Sequence, residues 1–143
     1  MIARLFAGFA TLIAAFMVSF TPASAAESIN GRWVTEEGDA IVLIRGCGNT
    51  TCGTIMRFLV PPPDGADQRD IYNPDPELRD RRLLGLPILT GFREEEDLWR
   101  GRIYDPKSGR SYRSVIRRTG ANTIEVRGCI GPFCQAQIWK RDN

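Results

Sequence analysis

Four cysteines stand in two matched pairs, Cys47-Gly-Asn-Thr-Thr-Cys52 and Cys129-Ile-Gly-Pro-Phe-Cys134. Each pair brackets four turn-forming residues between apolar runs. Residues that flank a four-residue hairpin loop face each other across two strands, at the separation a disulfide needs. The spacing therefore predicts Cys47–Cys52 and Cys129–Cys134 disulfides. A zinc site with four cysteine ligands is compatible with the spacing alone. A redox-active pair fits less well, because neither pair is C-x-x-C before a helix.

The chain contains no histidine. That removes Ser-His-Asp and Cys-His catalysis, and it removes the commonest general base at neutral pH. No glycine-rich phosphate loop precedes a helix. What remains for catalysis is a pair of carboxylates drawn from Asp70, Asp75 and Asp80. Arg69, Arg79, Arg81 and Arg82 lie beside them in the chain, and simple ion pairing is the favoured reading. No catalytic residue, metal site or cofactor is expected. The acidic run Glu94 to Asp97 lacks the alternating oxygen-ligand spacing of a calcium loop and reads as a solvated hairpin tip.

Export sets the context for the cysteines. Arg4 supplies a positive start, Leu5 to Phe20 an uncharged apolar run, and Ala23-Ser24-Ala25 a cleavage site, so residues 1–25 are expected to be a signal peptide. The apolar run is short for a membrane span, which needs ~20 residues, and no span is expected after cleavage. Residues 26–143 then form a single domain in the periplasm or outside the cell, where disulfides are the default. Loss of Arg4 lowers the formal net charge from +2 to +1. That balance does not suggest a nucleic-acid partner.

Strand signals recur between turn signals along residues 26–143, and helical periodicity is nearly absent. Strands are expected at 32–35, 40–45, 54–60, 86–92, 98–104, 111–118, 123–127 and 135–141, with Pro87 at the start of the fourth or on a broken edge. On the third strand Met56, Phe58 and Val60 are expected to share a face. On the sixth Tyr112, Ser114 and Ile116 do, and on the seventh Ile124 and Val126. Eight short antiparallel strands fit an up-and-down barrel, and a sandwich fits the same pattern. One stretch, Pro61 to Gly85, breaks the rhythm. It carries one short helix signal at Glu77 to Leu84, with Pro76 at its first turn. A connection this long must run over the surface, and it is expected to lie across one barrel mouth.

The chain resembles an exported bacterial family known as domain of unknown function number 2147. The residues that carry the resemblance are Gly31-x-Trp33, Cys47-Gly48 with Cys52-Gly53, and Asn73-Pro74 with Leu78-Arg79 leading to Leu84-Gly85-Leu86. Further on come Ile103-Tyr104-x-Pro106-x-x-Gly109-x-x-Tyr112, Gly128-Cys129, Cys134 and Trp139-x-Arg141. The family's usual Asn is replaced by Asp105. The resemblance implies an all-β fold, a small antiparallel up-and-down eight-stranded calycin-like (lipocalin-like) barrel, and no established reaction. In such a barrel Trp33 on the first strand and Arg141 on the last are expected to seal one end by stacking.

A barrel of this size is expected to be filled or nearly filled by side chains, with room at the mouth for one small apolar or amphipathic ligand. Arg79 is then the candidate to meet an acidic head group, and Tyr104 and Tyr112 are candidates to offer hydroxyls. The leading functional expectation is non-enzymatic binding of such a ligand. An envelope protein–protein interaction module using the Pro61 to Gly85 loop ranks second, and a carboxylate-based hydrolase third.

Overall fold

The computed structural model describes residues 25–143, so most of the expected signal peptide, residues 1–24, lies outside the described residues. Eight strands close into an antiparallel barrel in which each strand pairs with its neighbours in sequence and β1 meets β8. They are β1 (Gly31–Val34), β2 (Ala40–Cys47), β3 (Thr50–Phe58), β4 (Pro87–Glu95), β5 (Leu98–Asp105), β6 (Arg110–Gly120), β7 (Thr123–Ile130) and β8 (Phe133–Arg141). The sandwich alternative is thereby excluded. Pro87 opens β4, where its missing N–H does least harm.

Several strands run further than the sequence pattern predicts, because the turns are tighter. Cys47 pairs with Thr50, and Ile130 pairs with Phe133, so each cysteine-bracketed loop is a two-residue turn. Gly48 and Gly131 take the first central position with φ of 63° and 55°. Positive φ there is what a type II′ hairpin turn requires, and glycine adopts it without strain. Cys129 and Cys134 are consequently direct cross-strand partners, with Cα atoms 4.0 Å apart. Cys47 and Cys52 are offset across β2 and β3, since Cys52 pairs with Arg45, and their Cα atoms lie 5.8 Å apart. Both pairs form disulfides, one at each end of the barrel.

The expected face of the third strand requires correction. Ile41 pairs with Arg57, yet Val42 pairs with Ile55, so β3 carries an extra residue at Met56. Such a bulge shifts the alternation by one. Ile55 and Phe58 therefore face the interior, while Met56 and Val60 are exposed. The face expected for β7 holds, with Ile124 and Val126 buried, and that of β6 holds at Ser114 and Ile116, while Tyr112 at the strand's mouth end is only half-buried.

The short helix expected at Glu77 to Leu84 is also corrected. Only Pro76–Leu78 forms a helical turn, of the 3-10 type, with the Asp75 side chain accepting from the Glu77 amide. The following residues bond across the segment instead. Asp70 N donates to the Arg81 carbonyl, Leu83 N donates to the Gln68 carbonyl, and Arg69 pairs with Arg82. The Leu83 amide, which a helix would donate to the Arg79 carbonyl, is thereby taken by Gln68.

Side chains from all eight strands build one core, in which Trp33, Ile44, Leu89, Phe92, Ile116 and Trp139 are prominent. Gly101 lies under the Phe92 ring, where a Cβ would overlap it. One end of the barrel is closed. There Ile29 is fully buried, its carbonyl accepts from Trp33 Nε1 at 2.8 Å, and Trp99 Nε1 donates to the Glu27 carbonyl. The opposite end carries the β1–β2, β5–β6 and β7–β8 turns and the 61–85 segment.

Candidate functional site

The open end holds a cavity of about 560 Å³. Its floor is apolar: Val42, Ile55, Phe58, Ile88, Ile103 and Trp139. Its roof is the long segment, which contributes Pro61, Pro62, Pro63, Ile71, Tyr72 and Leu83. The expectation of a nearly filled barrel is thus met only toward the closed end. Toward the mouth space remains, and the irregular segment, rather than more core, covers it.

The cavity rim is polar. Thr35, Glu37 and Asp39 reach it from the β1–β2 turn, and Asp105, Pro106 and Lys107 from the β5–β6 turn. Lys107 Nζ bridges the two turns. It contacts the Glu37 carboxylate and lies 3.0 Å from Asp39 Oδ2. Thr35 Oγ1 donates to Asp39 Oδ1 at 2.6 Å. Burial alone would raise the Asp39 carboxyl, but the Thr35 hydrogen bond and the Lys107 charge outweigh it and hold it below its usual value. The Glu37 hydrogen bond, with Asp39 beside it, raises Lys107 against the opposing effect of burial.

The roof is anchored by a buried carboxylate. Asp70 is fully buried. Tyr104 Oη donates to its Oδ1 at 2.5 Å, while Asn73 Nδ2 at 2.9 Å and Arg81 Nε at 2.8 Å donate to Oδ2. Arg81 also pairs with Asp70 through Nη2 and packs over the Tyr104 ring. A buried carboxylate needs this kind of full satisfaction, since an unpaired charge there is very costly. Burial, and then the Asp70 carboxylate, push the Tyr104 phenol above its usual value. Tyr104 lies at the mouth end of β5, so the network ties the long segment to the barrel wall. Gly109 makes the same docking possible: a Cβ there would overlap the Tyr72 carbonyl.

The candidate residues fall in different places. Tyr104 borders the cavity, with its hydroxyl committed to Asp70. Tyr112 is half-buried and borders a separate groove on the outside of the barrel. Arg79 Nε donates to the Asn73 carbonyl at 2.8 Å, and Arg79 is not among the residues around the cavity. Among the acidic candidates, Asp70 serves Tyr104, Asn73 and Arg81. Asp75 caps the 3-10 turn, and Asp80 offers its backbone carbonyl to Arg69. Among the described residues no cluster of three or more His, Cys, Asp or Glu side chains is placed to hold a metal ion. No described helix is long and apolar enough to cross a membrane.

Sequence reasoning did not find Lys107, Glu37 or Asp39. Their signal was present, since Lys107 is one of only two lysines and sits in a turn. Nothing local shows that two turns nearly 70 residues apart meet at one rim.

Residues 31–141 match the model of a family described as "uncharacterized protein conserved in bacteria". No curated protein matches the chain. Among solved structures, protein HP1028 from the human pathogen Helicobacter pylori, described as belonging to the lipocalin family, has a similar fold. The TM-score is 0.70 at 19% identity, covering 81% of this chain and 84% of that one.

Proposed function

This chain belongs to the bacterial family of uncharacterized proteins, domain of unknown function 2147, and from that premise we propose that it is an exported, non-enzymatic binder of one small hydrophobic or amphipathic molecule. The observation that carries this reading is the cavity of about 560 Å³ between an apolar floor and a separately anchored roof. Small-molecule sites have this character, an apolar body with a few polar groups at one edge, in volumes of roughly 300–1,000 Å³. The lipocalin-like barrel supports ligand binding in general. An apolar body would lie on Ile55, Phe58 and Ile88, and a polar head would meet Thr35, Gln137 or Arg69 at the rim. Arg69 therefore takes the place expected for Arg79.

Two disulfides agree with an oxidising compartment outside the cytoplasm. Export by cleavage after Ala25 completes this reading, with residues 26–143 as the working domain.

Native mass spectrometry of protein purified from its own periplasm tests the proposal. A single small-molecule adduct is expected, and it should be lost from an Ala40→Phe variant, because Ala40 borders the cavity. A bare mass from the native host, together with no enhancement of a naphthalene-type fluorescent probe, would sink it.

A second reading, an envelope interaction module, is favoured by Ile71 and Tyr72, which are 50% and 62% exposed on the long segment. Crosslinking in cells through residue 72 separates the two: a protein adduct supports the module.

A further inference from the structure

Outside the barrel, at the mouth end of β4 to β7, lies an open groove of about 780 Å³. Arg102, Arg110 and Arg113 from the strands and Arg81 from the long segment border it, with Tyr104 and Tyr112 beside them and no Asp or Glu. Arg102 and Arg113 are direct cross-strand partners. Both are exposed, and like charges placed opposite each other destabilise a sheet.

Some strand arginines are matched with carboxylates, as in Arg100–Glu95, Arg117–Asp97 and Arg127–Glu125. Others, unpaired among the described residues, such as Arg45, Arg57 and Arg93, are spread over the barrel, whereas the groove gathers three. Among the described residues Arg102, Arg110 and Arg113 enter no ion pair. Arg113 Nη2 donates to the Gly131 carbonyl, which orients one guanidinium. Two carboxylates beside the groove are already engaged: Asp70 by Arg81, Asn73 and Tyr104, and Asp105, the cross-strand partner of Arg110, by the Lys107 amide and Ser108 hydroxyl of its own turn.

We propose that this groove binds a phosphomonoester group, and that the uncompensated pair Arg102 and Arg113, with Arg110, is its recognition site. A carboxylate has two oxygens and one charge, which a single guanidinium fork satisfies. Three guanidiniums bordering one groove suit a group with three acceptor oxygens and nearly two charges. The apolar edge made by Leu78 and Ile130 leaves room for an uncharged body attached to that group. The same chemistry is offered by a soluble phosphate ester and by a lipid headgroup.

The test uses the whole mature chain. Glycerol 3-phosphate is titrated in one arm. In the other, flotation is measured with phosphatidylcholine vesicles with and without phosphatidate. Binding in the first arm only assigns a soluble ester, and phosphatidate-dependent flotation assigns a headgroup. The double variant Arg102→Gln, Arg113→Gln should weaken binding by roughly tenfold or more, the loss expected for charge-assisted hydrogen bonds. Its melting temperature should hold or rise, since a like-charge contact is relieved. Arg93→Gln, an exposed arginine outside the groove, should leave binding unchanged. Absence of binding in both arms overturns the proposal, and so does equal weakening by Arg93→Gln. A folded double variant that binds as well as the parent also overturns it.

Discussion

The guanidinium of Arg141 lies over the indole of Trp33, with its central carbon 4.4 Å from the ring centroid. The two residues are register partners where β8 meets β1. That seam is short, comprising only Trp33–Arg141 and Val34–Lys140, so side-chain packing must supplement the few backbone bonds. Arg118 adds a second guanidinium, 5.5 Å from the same ring.

Trp33→Ala should therefore cost several kcal/mol, about 3–5 as for other buried aromatics. Gly31→Ala should also destabilise, because Gly31 has φ of 138° and a Cβ there would overlap the Arg141 guanidinium. Urea denaturation of both variants checks this. An unchanged midpoint for Trp33→Ala would remove the sealing role.

Non-reducing peptide mapping should recover Cys47 bonded to Cys52 and Cys129 bonded to Cys134. Each closes a short loop, so the chain-entropy effect is about 2 kcal/mol per bridge. Stoichiometric zinc, or cross-pairing between the two hairpins, would contradict the pairing.

The two arginines of the long segment should differ sharply. Arg81 is the charged partner of fully buried Asp70, and removing one partner of a buried pair costs about 3–5 kcal/mol in general. Because Arg81 is itself partly exposed, Arg81→Ala should fall at or below the lower end of that range. Arg79→Ala loses one hydrogen bond to the Asn73 carbonyl and should cost about 1 kcal/mol. Thermal melts of the two variants decide the order. If Arg79→Ala leaves stability intact but abolishes ligand binding, Arg79 is a recognition residue after all.

Stability should fall at both extremes of pH. Asp39 is depressed in the folded state, so its contribution is present above its unfolded value and disappears as pH falls through and below it. Lys107 and Tyr104 are both raised. Their contributions are complete below their unfolded values and fade as pH rises through the folded ones. Asp39→Asn should flatten part of the acid limb, and Tyr104→Phe part of the alkaline limb, in melts recorded across the pH range. Identical limbs in parent and variant would show that the rim and roof contacts do not govern this behaviour.

Strand number and the two cysteine pairings were legible in the sequence because each rests on local alternation and short turns, whereas the barrel order, which a sandwich would have matched equally well, was implied by the family resemblance. Gly31-x-Trp33 and Trp139-x-Arg141 likewise marked both ends of the seam, since two-residue spacing puts Trp139 and Arg141 on one face. Local pattern failed at Met56, where a bulge inserted one residue and turned Phe58 inward after Ile55. It failed again at Glu77 to Leu84, where a good helix start lost its backbone groups to partners at Gln68 and Asp70. The site depended on neither kind of local signal. Asp70 became a buried anchor only because Tyr104, 34 residues away, meets it. Lys107 became a rim contact only because barrel closure brings its turn beside Glu37 and Asp39. Alternation along a strand records which way each side chain points, and that much the residues determined alone. Which distant charges share a mouth, and how much space remains beneath the roof, follow from closing the sheet, so the tertiary structure decided them.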